Sequence, residues 1–476
     1  MRKLQIRSFE FAILLILFVI ATTFFIIQHA YSLKWDFSAY VLNAKYLFSN
    51  GSYFEWLRPP LVPLLVGIFS FITFGNYTAA EYFYIIFVSF LFFLASVNLA
   101  KKLRIDSLVF YALMLSPSLL LIGLNEGTEL LFLTFLMFAL NFLFSEARSS
   151  AALLGIFIGL ASLTHYTALA FVFLFFVRKP LCKRAFTSLI FFLVVVLPWF
   201  LYNFFVTGSF LTSIVDAYAQ NIYFRRYLFM PFNWTHFFKI FSYYCIFFVL
   251  GIIVCFKKLK HKEMNCFSPL IMLLIFFLVL FSYSRSPLKT PRYLFSLSLP
   301  IAFFSTFFFE KLKEKSKKLF VIALVAVVLF NFIFAFSNFF VSFSSKEVYK
   351  NALESLDKKC MYASDHWVYL NYFGFVAEPM PWNQEELLHE LEKGKRFVIF
   401  GSAEPEYLSN SSFLETLPKI NKTSNYLVLG NETFCMEPYK VDTTYLEGLR
   451  KRNITKLSNC QIIMPYPLEF LCKVIK

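Results

Sequence analysis

Between Phe11 and Val341 the chain is a succession of apolar runs, most of them 15 to 25 residues long, broken by short clusters of Lys and Arg. A helical run of about 20 residues spans the roughly 30 Å hydrocarbon core of a bilayer, and few other folds use so many in a row. Only 16% of residues are charged while 59% are hydrophobic, which excludes an ordinary soluble globule. The net charge of +16 does not imply a nucleic-acid partner, because the cations sit in blocks between apolar runs, as cytoplasmic loops do. The 68 Phe read as lipid-facing and packing bulk.

With the basic end Met1 to Arg7 inside, the first span covers Phe11 to Ile27; it is too long for a signal peptide and no small-residue cleavage site follows. About eleven spans follow from the alternation of basic inner blocks with outer loops. The run 60–74 is too short to cross and suits a helix at the outer surface. The run 151–177 has basic ends that both belong inside, so it reads as two short helices meeting near His165. After Val341 the long apolar runs vanish, and 342–476 reads as an extracytoplasmic α/β domain beside a transmembrane domain 1–341. Seven Asn-x-Ser/Thr triplets, at Asn50, Asn76, Asn233, Asn410, Asn421, Asn431 and Asn453, all fall on the side assigned outside. Such triplets suit an archaeal plasma membrane or an endoplasmic reticulum. Cys360, Cys435, Cys460 and Cys472 lie on that side too, where disulfides persist, though spacing does not pair them.

The outer loop 28–77 holds the most informative residue. Asp36 is the only acid between residues 11 and 54, in a chain that spends few charges. Outer loops obeying the positive-inside rule should be poor in cations, yet Arg58, Arg225, Arg226, Arg285, Lys289 and Arg292 fall there. They could touch anionic head groups or pair with Asp216 and Glu55. They could instead form a pocket for a phosphate or pyrophosphate, since guanidinium groups bind phosphate oxygens in bidentate fashion. Arg58, before Pro59-Pro60, and Arg292, after Pro291, have the most rigid surroundings. Glu126 and Glu129 either start the fourth span as helix-favouring acids or join the site, and His165 is either a polar contact at a helix break or a substrate ligand. Asp365-His366 is set aside as a dyad, because neighbours in a helix face different ways.

Trp35-Asp36 with Tyr40 and Ala44, then Gly51-Ser52-Tyr53, then Arg58-Pro59-Pro60-Leu61 with Pro63, resemble the polyprenyl-phosphate-sugar glycosyltransferases of the GT-C fold. That group includes protein O-mannosyltransferases and the lipid A aminoarabinose transferase. Glu126 to Glu129, the Gly155, Gly159, Ala161, Leu163 series and Arg292-Tyr293-Leu294 with Pro300 extend the resemblance across most of residues 1–340. The resemblance implies that Asp36 is the catalytic base and that Arg58 and Arg292, with Lys289 and Arg285, bind the donor phosphate. It makes Tyr40, Glu126, Glu129, His165 and Arg225 candidate substrate contacts. Phe37 stands where many relatives carry a second acid, and Leu57 where the aminoarabinose transferase has one. A bound divalent metal is therefore possible but not supported.

The expectation is an inverting membrane glycosyltransferase that moves a sugar from a polyprenyl (dolichyl) phosphate to a glycan, lipid or protein acceptor on the extracytoplasmic face. An oligosaccharyltransferase is the first alternative, although the tail lacks the Trp-Trp-Asp-Tyr-Gly motif. A transporter or lipid flippase is the second, and it would require ionisable residues at mid-membrane depth, which are almost absent.

Overall fold

The computed structural model describes residues 8–147, 149–178, 181–223, 230–241, 243–262, 265–286, 289–341, 346–354, 356–401, 406–409, 411–423 and 425–443. Arg225, Cys460, Cys472, Asn410 and Asn453 lie outside them.

Helix α1 (Ser8–Tyr31) is an almost unbroken apolar run. The segment after it is largely regular: α2 (Trp35–Ser49), β1 (Tyr53–Glu55) and α3 (Leu61–Ile72). Helix α4 (Tyr77–Leu103) starts at Asn76, whose side chain accepts from Ala79 N, and ends with Lys101 and Lys102 against its negative end. Asp106 caps α5 (Ser107–Met114), and α6 (Pro117–Ile122) starts afresh because Pro117 cannot continue a helix. Next come α7 (Glu129–Leu143), α8 (Ser150–Thr164) and a 3₁₀ segment, Tyr166–Phe176. The break falls at His165, whose extended backbone ends α8. A Cβ on Gly155 would lie 2.1 Å from Ser188 O, so glycine there lets α8 press directly on α9 (Leu181–Thr207). The bundle is completed by α10 (Thr212–Tyr218), α11 (Trp234–Phe241), α12 (Tyr244–Lys260), α13 (Phe267–Arg285), α14 (Ser298–Lys315) and α15 (Lys317–Val341).

The chain is thus a polytopic helical membrane protein, but its spans are uneven. Among the described residues six helices are long and apolar enough to cross a membrane, and a seventh forms if Trp234–Ile240 and Tyr244–Lys260, bent by 75°, count as one. By length and apolarity this is fewer than the eleven or so spans expected. The remaining apolar runs fold as shorter helices, Glu129–Leu143, Ser150–Thr164 and Tyr166–Phe176, or are broken at Pro117.

The C-terminal unit contains α16 (Lys346–Leu353), β2 (Met361–Ser364), α17 (Trp367–Tyr372), β3 (Val376–Pro379), α18 (Gln384–Glu392), β4 (Arg396–Ile399), α19 (Ser411–Thr416), β5 (Lys419–Lys422), β6 (Leu427–Leu429) and β7 (Val441–Thr443). Its sheet runs β3-β2-β4-β6-β5, with the first three strands parallel and the last two antiparallel additions. Cys360 and Cys435 form a disulfide. This α/β unit is docked on the segment that holds α2 and β1. β7 pairs in parallel with β1, Tyr53 opposite Val441. Ala39, Leu42 and Tyr53 share a buried cluster with Met361, Val368 and Val441.

Candidate functional site

Asp36 lies in the first turn of α2, where the positive end of the helix favours a carboxylate. That helix was not legible in advance; it begins as soon as α1 ends and turns Asp36 beneath the C-terminal unit. Arg58 NH1 donates to Asp36 Oδ1 at 2.6 Å, and Arg58 Nε donates to Glu55 Oε2 at 2.7 Å. From 256 residues further on, Arg292 NH1 donates to the other oxygen, Asp36 Oδ2, and its Nε donates to Glu129 Oε1. Glu126 Oε2 stands 3.9 Å from the same Arg292 nitrogen. Among the described residues Asp36 has no hydrogen-bond partner except these two guanidinium groups.

The elements that deliver these groups are rigid. Arg58 precedes a Pro pair that leads into α3, and Arg292 sits in a 3₁₀ turn, Pro291–Leu297, that opens α14. The loop between α6 and α7 presents Glu126 and Glu129 on either side of Gly127. Gly127 has φ +95°, and a Cβ there would meet Phe37 Cδ2 at 2.6 Å. Close packing against Phe37 thus needs glycine between the two acids. Phe37 also meets the His29 ring edge-on at 4.1 Å. Tyr40 lies under the Arg58 guanidinium, 5.5 Å from its ring centroid.

Burial would raise the Asp36 carboxyl, but Arg58 and Arg292 outweigh it and hold the group well below the usual carboxylate range. Glu126 behaves oppositely. Burial first, then the charge on Asp36, push it up to about 7, with Arg292 only partly offsetting them. Burial drives the Tyr40 hydroxyl upward and pulls His165 down to about 4, so both are neutral at pH 7. The charges of Glu129, Arg292 and Asp36 reach His165, whose ring lies 5.9 Å from that of Phe132 in α7.

Asp36, Arg58, Arg292, Tyr40, Glu126 and Glu129 therefore converge, within electrostatic reach of His165. Lys289 and Arg285 are placed elsewhere. Lys289 Nζ donates to the carbonyls of Ser284 and Ser286 at the end of α13, and the Arg285 guanidinium lies 5.5 Å from the Phe281 ring centroid. Glu55 was weighed only as a partner for stray cations and is in fact the anchor of Arg58. Its nearness to Arg58, three residues on, was the available signal. Asp365 accepts from Phe400 N, and His366 Nδ1 lies 3.1 Å from Tyr349 OH. Among the described residues no three His, Cys, Asp or Glu side chains converge as a metal-binding set.

No family model and no curated protein sequence match this chain. Solved structures do. ArnT, the lipid A aminoarabinose transferase, from Cupriavidus metallidurans bound to undecaprenyl phosphate superposes with a TM-score of 0.62 at 13% identity, covering 89% of this chain and 99% of that one. The apo form of the same protein gives 0.61. The oligosaccharyltransferase of Archaeoglobus fulgidus in its apo form gives 0.53 at 11% identity, over 79% of this chain and 65% of that one. Both are GT-C fold enzymes, and the fold of this chain is GT-C.

Proposed function

We propose that this GT-C-fold chain is a glycosyltransferase using a polyprenyl-phosphate sugar donor, with Asp36 as base and Arg58 and Arg292 as the clamp on the donor phosphate. The observation that carries the reading is the carboxylate held between two arginines from distant segments, at the end of the bundle opposite the Lys-rich blocks. The likeness to a protein crystallised with undecaprenyl phosphate supports it.

The chemistry follows from the charges. The acceptor oxygen attacks the anomeric carbon, its proton passes to Asp36, and the bond to the phosphate oxygen breaks, leaving polyprenyl phosphate and an inverted centre. Arg58 and Arg292 neutralise the departing phosphate. Among the described residues neither arginine uses its NH2 group in a hydrogen bond, so each has a donor to offer phosphate. Before the donor arrives both guanidinium groups lean on Asp36 and keep it a weak base. A phosphate that draws them away strengthens the base, which ties proton removal to donor occupancy.

In this reading the reaction runs on the extracytoplasmic face, beneath the C-terminal unit, and the positive-inside pattern of the basic blocks supports that side. Hydrolysis-resistant controls aside, the test is transfer from a polyprenyl-phosphate monosaccharide by wild type and Asp36→Asn. Loss of transfer by about 10²- to 10⁴-fold, with unchanged expression and melting, is expected. Full activity in that variant sinks the assignment. Transfer only from a lipid-linked oligosaccharide supports the oligosaccharyltransferase alternative instead.

A further inference from the structure

Arg58 is held from behind by groups that the chemistry above does not use. The carboxylate of Glu55 accepts Arg58 Nε on one oxygen and the Tyr53 hydroxyl, at 2.5 Å, on the other. That hydroxyl is also 2.6 Å from Trp367 Nε1, in α17 of the C-terminal unit. An indole N–H can only donate, so Tyr53 must accept from Trp367 and turn its own proton to Glu55. The polarity of the row is therefore fixed: Trp367 to Tyr53, Tyr53 to Glu55, and Arg58 to Glu55 from the other side. Glu55 itself cannot drift. Asn43 bonds both its backbone N and its carbonyl at 2.9 Å, and β1 is pinned by β7. Tyr53, Glu55 and Asn43 are all at most 4% exposed.

We infer that Trp367, Tyr53 and Glu55 are positioning residues through which the C-terminal unit aims Arg58 at the donor phosphate. This rests on the glycosyltransferase reading. The planar guanidinium has its plane set once Nε and one NH1 are tied, so displacement of Glu55 by an ångström rotates the remaining N–H groups off the phosphate. The Trp367 ring also meets the Trp35 ring edge-on at 4.6 Å, next to Asp36. One indole thus braces both the base and its arginine, and the unit acts as part of the site as well as a cover.

The test uses the full chain in lipid nanodiscs and undecaprenyl phosphate as probe. Trp367→Phe and Tyr53→Phe each keep a ring; the first removes one hydrogen bond and the second removes two. Trp367→Phe should weaken probe binding about 3- to 10-fold, the worth of one hydrogen bond, and Tyr53→Phe by at least as much. Both variants should still fold cooperatively, with a small but measurable drop in melting temperature. In an Arg58→Ala background the Trp367→Phe loss should vanish, because the relay then has nothing to aim. Wild-type affinity in Trp367→Phe, or the same loss with and without Arg58, overturns the inference. If wild type binds no probe, the glycosyltransferase reading fails. The relay is then decided by thermal unfolding without ligand. Trp367→Phe and Glu55→Gln should be non-additive if the row exists, and additive costs overturn it.

Discussion

Two ion networks sit at opposite ends of the bundle, and they are built differently. At the Lys-rich end, Lys313 bonds Asp106 at 2.7 Å and approaches Glu10 at 3.8 Å, while Lys258 bonds Glu310 at 3.1 Å. Each central acid there has backbone work as well. Asp106 accepts from Leu108 N and Val109 N at the start of α5, and Glu310 accepts from Asp106 N. The Lys313 side chain is 38% exposed. At the other end the cations are arginines, Arg58 is nearly buried while Arg292 is as exposed as Lys258, and Asp36 serves no backbone group. The first network staples helix ends in partial contact with water, where such pairs contribute little. The second keeps a carboxylate between two cations with no backbone group to serve, and it is on this difference that the proposed phosphate clamp rests.

Breaking the outer network should therefore hurt activity far more than stability. Arg58→Ala and Arg292→Ala should each lower kcat/KM about 10²- to 10³-fold, the scale of losing one charge-stabilising donor. Arg→Lys should recover only part, since an ammonium lacks the bidentate fork. Steady-state kinetics beside thermal unfolding separate the two effects; a collapse in melting with normal kcat/KM would put both networks in one class.

Glu126 gives a finer contrast. Its carboxyl, raised to about 7, is neutral below that pH and charged above it. Ionisation adds negative charge beside Arg292, so kcat/KM should fall as pH climbs through about 7. The donor phosphodiester does not titrate in this range, and Glu126→Gln should abolish the inflection. The sign for stability agrees: a raised carboxyl pKa favours the folded state at low pH, and that gain is lost as pH rises from the ordinary 4.5 to about 7. A pH profile identical in both proteins would remove Glu126 from the site.

The smallest effect belongs to the inner end. Asp106→Ala should cost about 1 kcal/mol through its lost helix cap, measured by thermal or denaturant unfolding, with kcat/KM unchanged. A large activity loss there would erase the distinction between the two networks.

What could be read ahead of the structure followed from local chemistry. Apolar length and basic blocks gave the membrane class, Asp36 stood out as a lone acid, and Arg58 stood out by its Pro pair. The break at His165 was legible because both ends of its run are basic. The rest depends on partners far apart in sequence. Nothing near Tyr53 announces that it pairs with Val441 or bonds Trp367, and hydropathy alone does not reveal the bend between α11 and α12. Lys289 misled for a related reason. It was expected at the donor phosphate, and in the structure its ammonium bonds carbonyls at the end of α13.

The central claim is that Arg58 and Arg292 meet one lipid phosphate above Asp36. The most direct measurement is an experimental structure of the chain with a polyprenyl monophosphate bound. The expected result places both guanidinium groups within about 3 Å of the phosphate oxygens, with at least one of them released from Asp36. A phosphate bound elsewhere, with the Arg58–Asp36–Arg292 bridge intact, would contradict it.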